Sequence, residues 1–341
     1  MKIGIVGDLH LRDTLPYSEY VKDGRVKEKK LVINTLISSF DDCDSIVFIG
    51  DQLNSKNNSS KVIQEFIELL ESFDDKKIYI IAGNHEKFGN GRSAIDFLKE
   101  VKGKNWVVVT DKVVVDGKIT LCPYFTPSEL GVDSLENGLM SVMEKIGSND
   151  TLFVHHAISD TVTTSNISTN IFGEIVLPKK ELEKKFKSII GGHIHNPQNL
   201  GNVIVTGSVF PAEINEIEKF AWKLDCDSKK FEEIKLPVRP IYGIENPTEE
   251  QINKLPAKAI VKVTITDKKM KDKLELLIER LKKFDAYLLV EKYKVERKKN
   301  KAIKDDVNIL EMSIEELLNM YAIQIKADPK KMIAGFNLIK E

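Results

Sequence analysis

Five times in its first 195 residues the chain writes a short, unbroken apolar run that breaks off at Gly, Asp, Asn or His. Ile3–Val6 leads into Gly7-Asp8, and Ser45–Ile49 into Gly50-Asp51. Ile78–Ile81 leads into Gly83-Asn84-His85, Thr151–Val154 into His155-His156, and Ser188–Ile190 into Gly191-Gly192-His193. Runs of this kind are what strands covered on both faces look like, because neither face needs polar residues. Between two of them, Val62, Phe66, Ile67, Leu69 and Leu70 recur at helical spacing. Strands alternating with helices predict an α/β core, in which polar residues at the carboxyl ends of strands build the site. From about 203 to 236 the pattern turns to strand and turn, with Val203–Val205, Phe220–Leu224 and a turn over Asp225–Lys229.

A chain of 341 residues has room for two domains and a small appendage. Pro237, Pro240, Pro247 and Pro256 mark the boundary. Beyond it, Ala259–Thr266 alternates like a strand, and Met270, Leu274, Leu277, Ile278, Leu281 and Phe284 trace one helical face. Tyr287–Val295 reads as another strand, followed by a basic stretch, Arg297–Lys304. Ser313-Ile314-Glu315-Glu316 matches a capping box opening a last helix. The expected organisation is a main domain over 1–240, a small basic α+β cap over 241–304 and a helical tail over 305–341.

The formal net charge is only -1, yet residues 267–304 hold 14 Lys/Arg against 7 Asp/Glu. An acidic body therefore carries a basic patch, which fits a polyanion but equally an ordinary solvated helix face. With 42% hydrophobic and 30% charged residues the composition is that of a globular protein. No run nears the roughly 18 apolar residues of a membrane span, and Asp8 interrupts the N-terminus too early for a signal peptide. Cys43, Cys122 and Cys226 are widely spaced and odd in number, so neither a disulfide framework nor a thiolate metal site is expected. The expected setting is a reducing cytoplasm.

All six histidines, His10, His85, His155, His156, His193 and His195, fall in the strand-end loops. Asp8, Asp51 and Asn84 add oxygen donors beside them. In Asp8-Leu9-His10 and His193-Ile194-His195 the donors stand two apart, so an extended backbone turns both to one side. Imidazole and carboxylate without thiolate suit Mn²⁺, Fe²⁺ or Zn²⁺ better than Ca²⁺. The donors are too many for one ion and about right for two, which one carboxylate could bridge at roughly 3.5–4 Å.

The series Asp8-x-His10, Gly50-Asp51, Gly83-Asn84-His85-Glu86, His155/His156 and Gly192-His193-Ile194-His195 resembles the calcineurin-like metallophosphoesterases. Within them it resembles the SbcD-type DNA repair and recombination nucleases, through Asn196-Pro197-Gln198, Gly207-Ser208 and the segment from Glu213 to Ala221. The length and compact C-terminal tail are similar to those of tailed-phage members. The resemblance implies a central two-sheet β-sandwich flanked by helices. It implies Asp8, His10 and His195 on a first metal, and Asn84, His193 and one histidine of the 155/156 pair on a second. Asp51 would bridge the two ions, expected as Mn²⁺. Of the pair, His156 is the preferred ligand, with His155 the alternative. His85 resembles the family's non-ligand histidine, which meets the scissile phosphate and helps the leaving oxygen. One departure stands out: the family nucleases commonly place His or Asp where this chain has Asn54, which cannot shuttle a proton at neutral pH.

The resemblance further implies a DNA substrate, an SbcC-type coiled-coil ATPase partner, a homodimer and no membrane. If phage-encoded, the chain would work in the host cytoplasm. Lys268, Lys269, Lys282, Lys283, Arg297, Lys298 and Lys299 are the expected DNA-binding residues, and the tail from Ser313 the expected ATPase contact. Two other readings share the metal motifs: a stand-alone phosphodiesterase or phosphatase on nucleotides or phosphoproteins, and a scaffold without chemistry. The complete donor set weighs against the latter.

Overall fold

The computed structural model describes residues 1–292, apart from 90, 102–103, 166, 170–172, 285 and the side chains of 271 and 272. Arg297, Lys298, Lys299, the basic run to Lys304 and the expected tail over 305–341 lie outside the described residues.

In chain order the elements are β1 (Lys2–Val6), α1 (Val26–Ser39), β2 (Ser45–Ile49), α2 (Ser60–Glu71) and β3 (Lys77–Ile81). There follow β4 (Trp106–Val109), β5 (Val114–Asp116), β6 (Ile119–Cys122), α3 (Leu135–Ile146), β7 (Asn149–Val154) and α4 (Lys179–Lys185). Next come β8 (Phe186–Gly191), β9 (Gln198–Asn199), β10 (Val203–Val205), β11 (Phe220–Asp225) and β12 (Lys230–Lys235). One sheet has the order β12-β11-β1-β2-β3-β4, the other β5-β6-β7-β8-β10-β9. The middle strands of each are parallel. In the first sheet β11 returns antiparallel onto β1, setting Ile3 opposite Leu224 and Ile5 opposite Trp222.

The pleat sorts each apolar run into two cores. Ile46 and Phe48 of β2 pack with Leu36 of α1 and Phe66 and Leu70 of α2. Val47 and Ile49 turn the other way, onto Phe153, Ile190 and Ile204 of the second sheet. Leu152, Val154 and Ile189 then face Val142, Ile146 and Leu182 on α3 and α4. The result is four layers, helix, sheet, sheet, helix, which explains why the strands read as continuous hydrophobic runs. The mixed two-sheet architecture expected from the sequence is the one observed.

A third, smaller sheet follows: β13 (Ile241–Glu245), α5 (Glu249–Lys254), β14 (Ile260–Ile265), α6 (Leu274–Leu281) and β15 (Ala286–Glu291), its three strands parallel. Its helix is shorter than the apolar spacing suggests, because Lys268–Lys273 forms a 3₁₀ turn. β13 and α5 were not expected; Pro240 and Pro247 bracket a five-residue strand broken by Gly243, and α5 opens with a Thr248/Gln251 capping box. Ile252, Val261, Val263, Leu277, Leu281 and Phe284 form this unit's own core. A second cluster, Ile241, Ile260 and Ala286 with Tyr17, Tyr20, Val21 and Ile214, seats it on the body. Beside that seam the fully buried Arg25 forms two 2.7 Å bonds to Glu28, and its Nη1 donates to the Pro16 carbonyl at 2.7 Å. Glu28 in turn accepts the Arg239 amide at 2.9 Å, so one buried ion pair pins the start of the third sheet.

Candidate active site

Every donor singled out in the first 195 residues stands just beyond the carboxyl end of a parallel strand. Asp8 and His10 follow β1, Asp51 follows β2, Asn84 and His85 follow β3, His155 and His156 follow β7, and His193 and His195 follow β8. The loops are tied to one another by backbone bonds, His10 N–H to the Asp51 carbonyl and Leu11 N–H to that of Gln52, both 2.8 Å. The convergence forces unusual backbone. His10, Asp51 and His193 have φ of 45°, 50° and 73°, the left-handed region that costs a side-chain-bearing residue roughly 1–2 kcal/mol. It also needs glycines: a Cβ on Gly83 would lie 2.1 Å from Asp51 Oδ1, and one on Gly50 would lie 2.0 Å from the His155 ring.

The donors fall into two groups on either side of Asp51, and His85 lies close enough to Asp51 and His10 to make a further group with them. In the first, His10 Nε2 lies 2.9 Å from His195 Nε2, which is 3.8 Å from Asp8 Oδ2. In the second, His155 Nε2 lies 3.2 Å from Asn84 Oδ1, and His193 Nδ1 is 3.0 Å from the same oxygen. Asp51 Oδ2 stands between, 3.9 Å from His10 Nε2 and 3.3 Å from His155 Nε2. Neighbouring ligand atoms held about 2.1 Å from one cation at right angles are themselves about 3 Å apart, so these spacings fit a cation. A second sign is Asp8 Oδ2, buried with no hydrogen-bond partner, an arrangement costly for a carboxylate unless something positive faces it.

Burial drives the Asp8 carboxyl above its ordinary range, against the pull of His155. Burial acts the same way on Asp51, yet His155, His10 and His85 outweigh it and hold that carboxyl well below the ordinary range. Burial opposes a charge on His155, but Asp51 and Asp8 carry it up to about 10.

The two neighbouring histidines of β7 part company. His155 joins Asp51, Asn84 and His193, while the preferred ligand of the sequence reading, His156, does not. Its Nε2 accepts the Phe125 amide at 3.1 Å, and its ring stacks on Tyr124 with centroids 4.9 Å apart. Successive residues of an extended segment face opposite ways, so only one could reach the site. Burial, then His193 and His155, push the His156 imidazole down to about 3.

His85 lies in the mouth of the site. Its backbone amide donates to Asp51 Oδ1 at 2.9 Å, and its Nδ1–H donates to the Asn54 carbonyl at 2.8 Å. A carbonyl can only accept, so Nε2, 4.0 Å from Asp51 Oδ2, is the nitrogen left to exchange a proton. The unusual Asn54 thus serves through its main chain, which any residue could supply.

Two carboxylates were missed as contributors. The fully buried Glu86 accepts the amides of Leu53 at 2.9 Å and Gly83 at 2.8 Å, joining the Asp51 and Asn84 loops. Burial and then Asp51 push its carboxyl up to about 8. Glu174 lies 2.8 Å from His193 Nε2 and accepts the Tyr124 hydroxyl at 3.2 Å. Glu86 was visible inside its motif, but no spacing marks Glu174. Behind the first group, the buried Lys219 donates to the His195 carbonyl at 2.9 Å and pairs with Glu216 at 2.9 Å.

The basic residues of the third sheet are less uniform than their sequence suggests. Lys268 and Lys269 are exposed. Lys282 pairs with Glu279 at 2.5 Å, and Lys283 Nζ donates to the Ile252 carbonyl at 2.8 Å, tying α6 to α5.

A cluster of imidazoles and carboxylates at the strand ends of two stacked sheets defines a metal-dependent hydrolase of the α/β-sandwich class. The sequence pattern of the calcineurin-like phosphoesterases matches residues 1–197, and the chain belongs to that family, whose enzymes are dinuclear metal-dependent hydrolases. No curated protein matches the chain. The solved structure of an archaeal phosphodiesterase is similar over 69% of this chain and 100% of that one, with 15% identity and a TM-score of 0.35. Among the described residues no helix is long and apolar enough to cross a membrane.

Proposed function

We propose that the chain is a two-metal phosphodiesterase acting on DNA, the nuclease subunit of an SbcD-type repair and recombination machine, working with Mn²⁺. The observation that carries the two-metal reading is the position of Asp51 Oδ2 between His10 and His155, at 3.9 and 3.3 Å. Asp8, His10 and His195 would hold one ion with Asp51. Asn84, His155 and His193 would hold the other, with His155 in place of His156. Bound there, two divalent cations supply positive charge to the phosphoryl oxygens and lower the pKa of water. The chain's own part is to fix those positions on strained but tightly bonded loops and to present His85 Nε2 beside them. Held through Nδ1 by the Asn54 carbonyl, His85 can deliver a proton to the departing oxygen.

Support for DNA comes from charge and from continuity. The third sheet rests on Tyr17, Tyr20 and Val21, in the segment that runs on from the ligand loop after β1, and on Ile214, which follows β10. Lys268 and Lys269 are exposed on it, within the stretch that carries the excess of basic residues. A homodimer, an SbcC-type ATPase partner and a cytoplasmic setting complete the proposal.

The test is purified protein with Mn²⁺ on labelled duplex and single-stranded DNA, beside a chromogenic phosphodiester and a phosphomonoester. Cleavage of DNA and the diester, lost in Asp51→Ala, is expected, with stimulation by the ATPase. Turnover of the monoester alone would overturn the nuclease reading, and full activity of Asp51→Ala would overturn the two-metal one.

A further inference from the structure

We infer that Glu174 is a positioning residue for the second metal, acting through His193; this rests on the two-metal reading but not on the identity of the substrate. His193 has two faces in the structure. Nδ1 points to Asn84 Oδ1 at 3.0 Å, within the donor group, and Nε2 points to Glu174 Oε1 at 2.8 Å. Both partners can only accept, but the carboxylate is charged and closer than the amide oxygen, so the proton of a neutral His193 is held on Nε2, leaving the lone pair on Nδ1 where a cation needs it. Glu174 thereby selects the tautomer and the ring orientation. A metal-bound imidazole is commonly held in this way through its distal nitrogen.

Glu174 is itself held. Its second oxygen accepts the Tyr124 hydroxyl at 3.2 Å, and Tyr124 stacks on the buried His156. The segment following Glu174 is clamped to the one following His155, Leu177 N–H to the Ala157 carbonyl and Ser159 N–H to that of Leu177, both 2.8 Å. The residue that aims His193 is therefore built on the same loop that presents His155. This also gives His156 a task, as part of the platform under Tyr124.

The test is Mn²⁺ titration, by calorimetry or electron paramagnetic resonance, of the wild type, Glu174→Gln, Glu174→Ala and His193→Ala. Glu174→Ala is expected to weaken one of two Mn²⁺ sites by about 10–100-fold and leave the other within about twofold. Glu174→Gln, whose amide oxygen still accepts, should lie between. In ¹⁵N spectra of the metal-free protein, His193 should carry its proton on Nε2 in the wild type and lose that preference in Glu174→Ala. Unchanged Mn²⁺ affinities with an unchanged tautomer would overturn the proposal, as would equal weakening of both sites. If His193→Ala also bound two Mn²⁺ like the wild type, the two-metal assignment itself would fail, and Glu174 with it.

Discussion

The His85 backbone amide donates to Asp51 Oδ1 at 2.9 Å while the His85 ring leaves Asp51 Oδ2 4.0 Å away. The main chain of His85 thus fixes the central carboxylate while its ring is left free to take a separate role.

Because the amide survives substitution, His85→Ala should keep two bound Mn²⁺ yet lose about 10²–10⁴-fold in turnover. Metal analysis after gel filtration, alongside diester hydrolysis, reads both quantities. Loss of an ion would make His85 a ligand instead.

His155→Ala and His156→Ala separate two adjacent residues that are hard to rank in sequence. His155→Ala should lose one Mn²⁺. His156→Ala should keep both but strand the buried Phe125 amide, costing about 1–3 kcal/mol in denaturant unfolding. The reverse pattern, with metal lost only from His156→Ala, would return the ligand to His156.

Metal loading should release a proton. Asp51 and Asp8, overcoming burial, hold the metal-free His155 protonated to about 10, and a cation requires its lone pair. Calorimetric heats at pH 8 in buffers of different ionisation enthalpy should reveal about one proton released per protein, and affinity should climb as pH rises from 7 to 9. The folded value lies above the ordinary 6.5. The stabilisation from protonated His155 is therefore fully present below 6.5 and fades as pH rises through 10. The melting temperature of the metal-free protein should fall over that window. Buffer-independent heats would refute this linkage.

If the third sheet grips DNA, Lys268→Glu with Lys269→Glu should weaken duplex binding and shrink the salt slope by about 0.9 for each phosphate no longer neutralised. Hydrolysis of a chromogenic diester should be unchanged. Equal DNA affinity would assign the grip to other residues, and equal loss on both substrates would indicate a folding defect.

The sandwich was legible because its strands are covered on both faces, so Ile46–Ile49 or Leu152–Val154 needed no periodicity to be recognised. The donors were legible because loop histidines and carboxylates at strand ends have few other uses. Choosing between His155 and His156 was not possible from composition, since the answer lies in which way the chain faces as it leaves β7. Glu174 was invisible for a different reason: it reaches His193 through folding alone, 19 positions away in sequence. For Lys283 a sequence records charge but not that Nζ also donates to the Ile252 carbonyl and ties α6 to α5. β13 escaped notice because Pro240, Gly243 and Pro247 mask a strand of five residues.

The return of β11 onto β1 has a bearing on how the protein is made. During synthesis Asp8, His10, Asp51 and Asn84 emerge first, on strands of one sheet, and His155, His193 and His195 only later, on the other. The first sheet still waits for residues 220–235, because Ile3 and Ile5 have no antiparallel neighbour until Leu224 and Trp222 arrive. A nascent chain stalled before His155 emerges carries only the donors of the first sheet. The full donor set is therefore assembled late in synthesis, only after His195, and a product terminated before His155 lacks all three donor imidazoles of the second sheet.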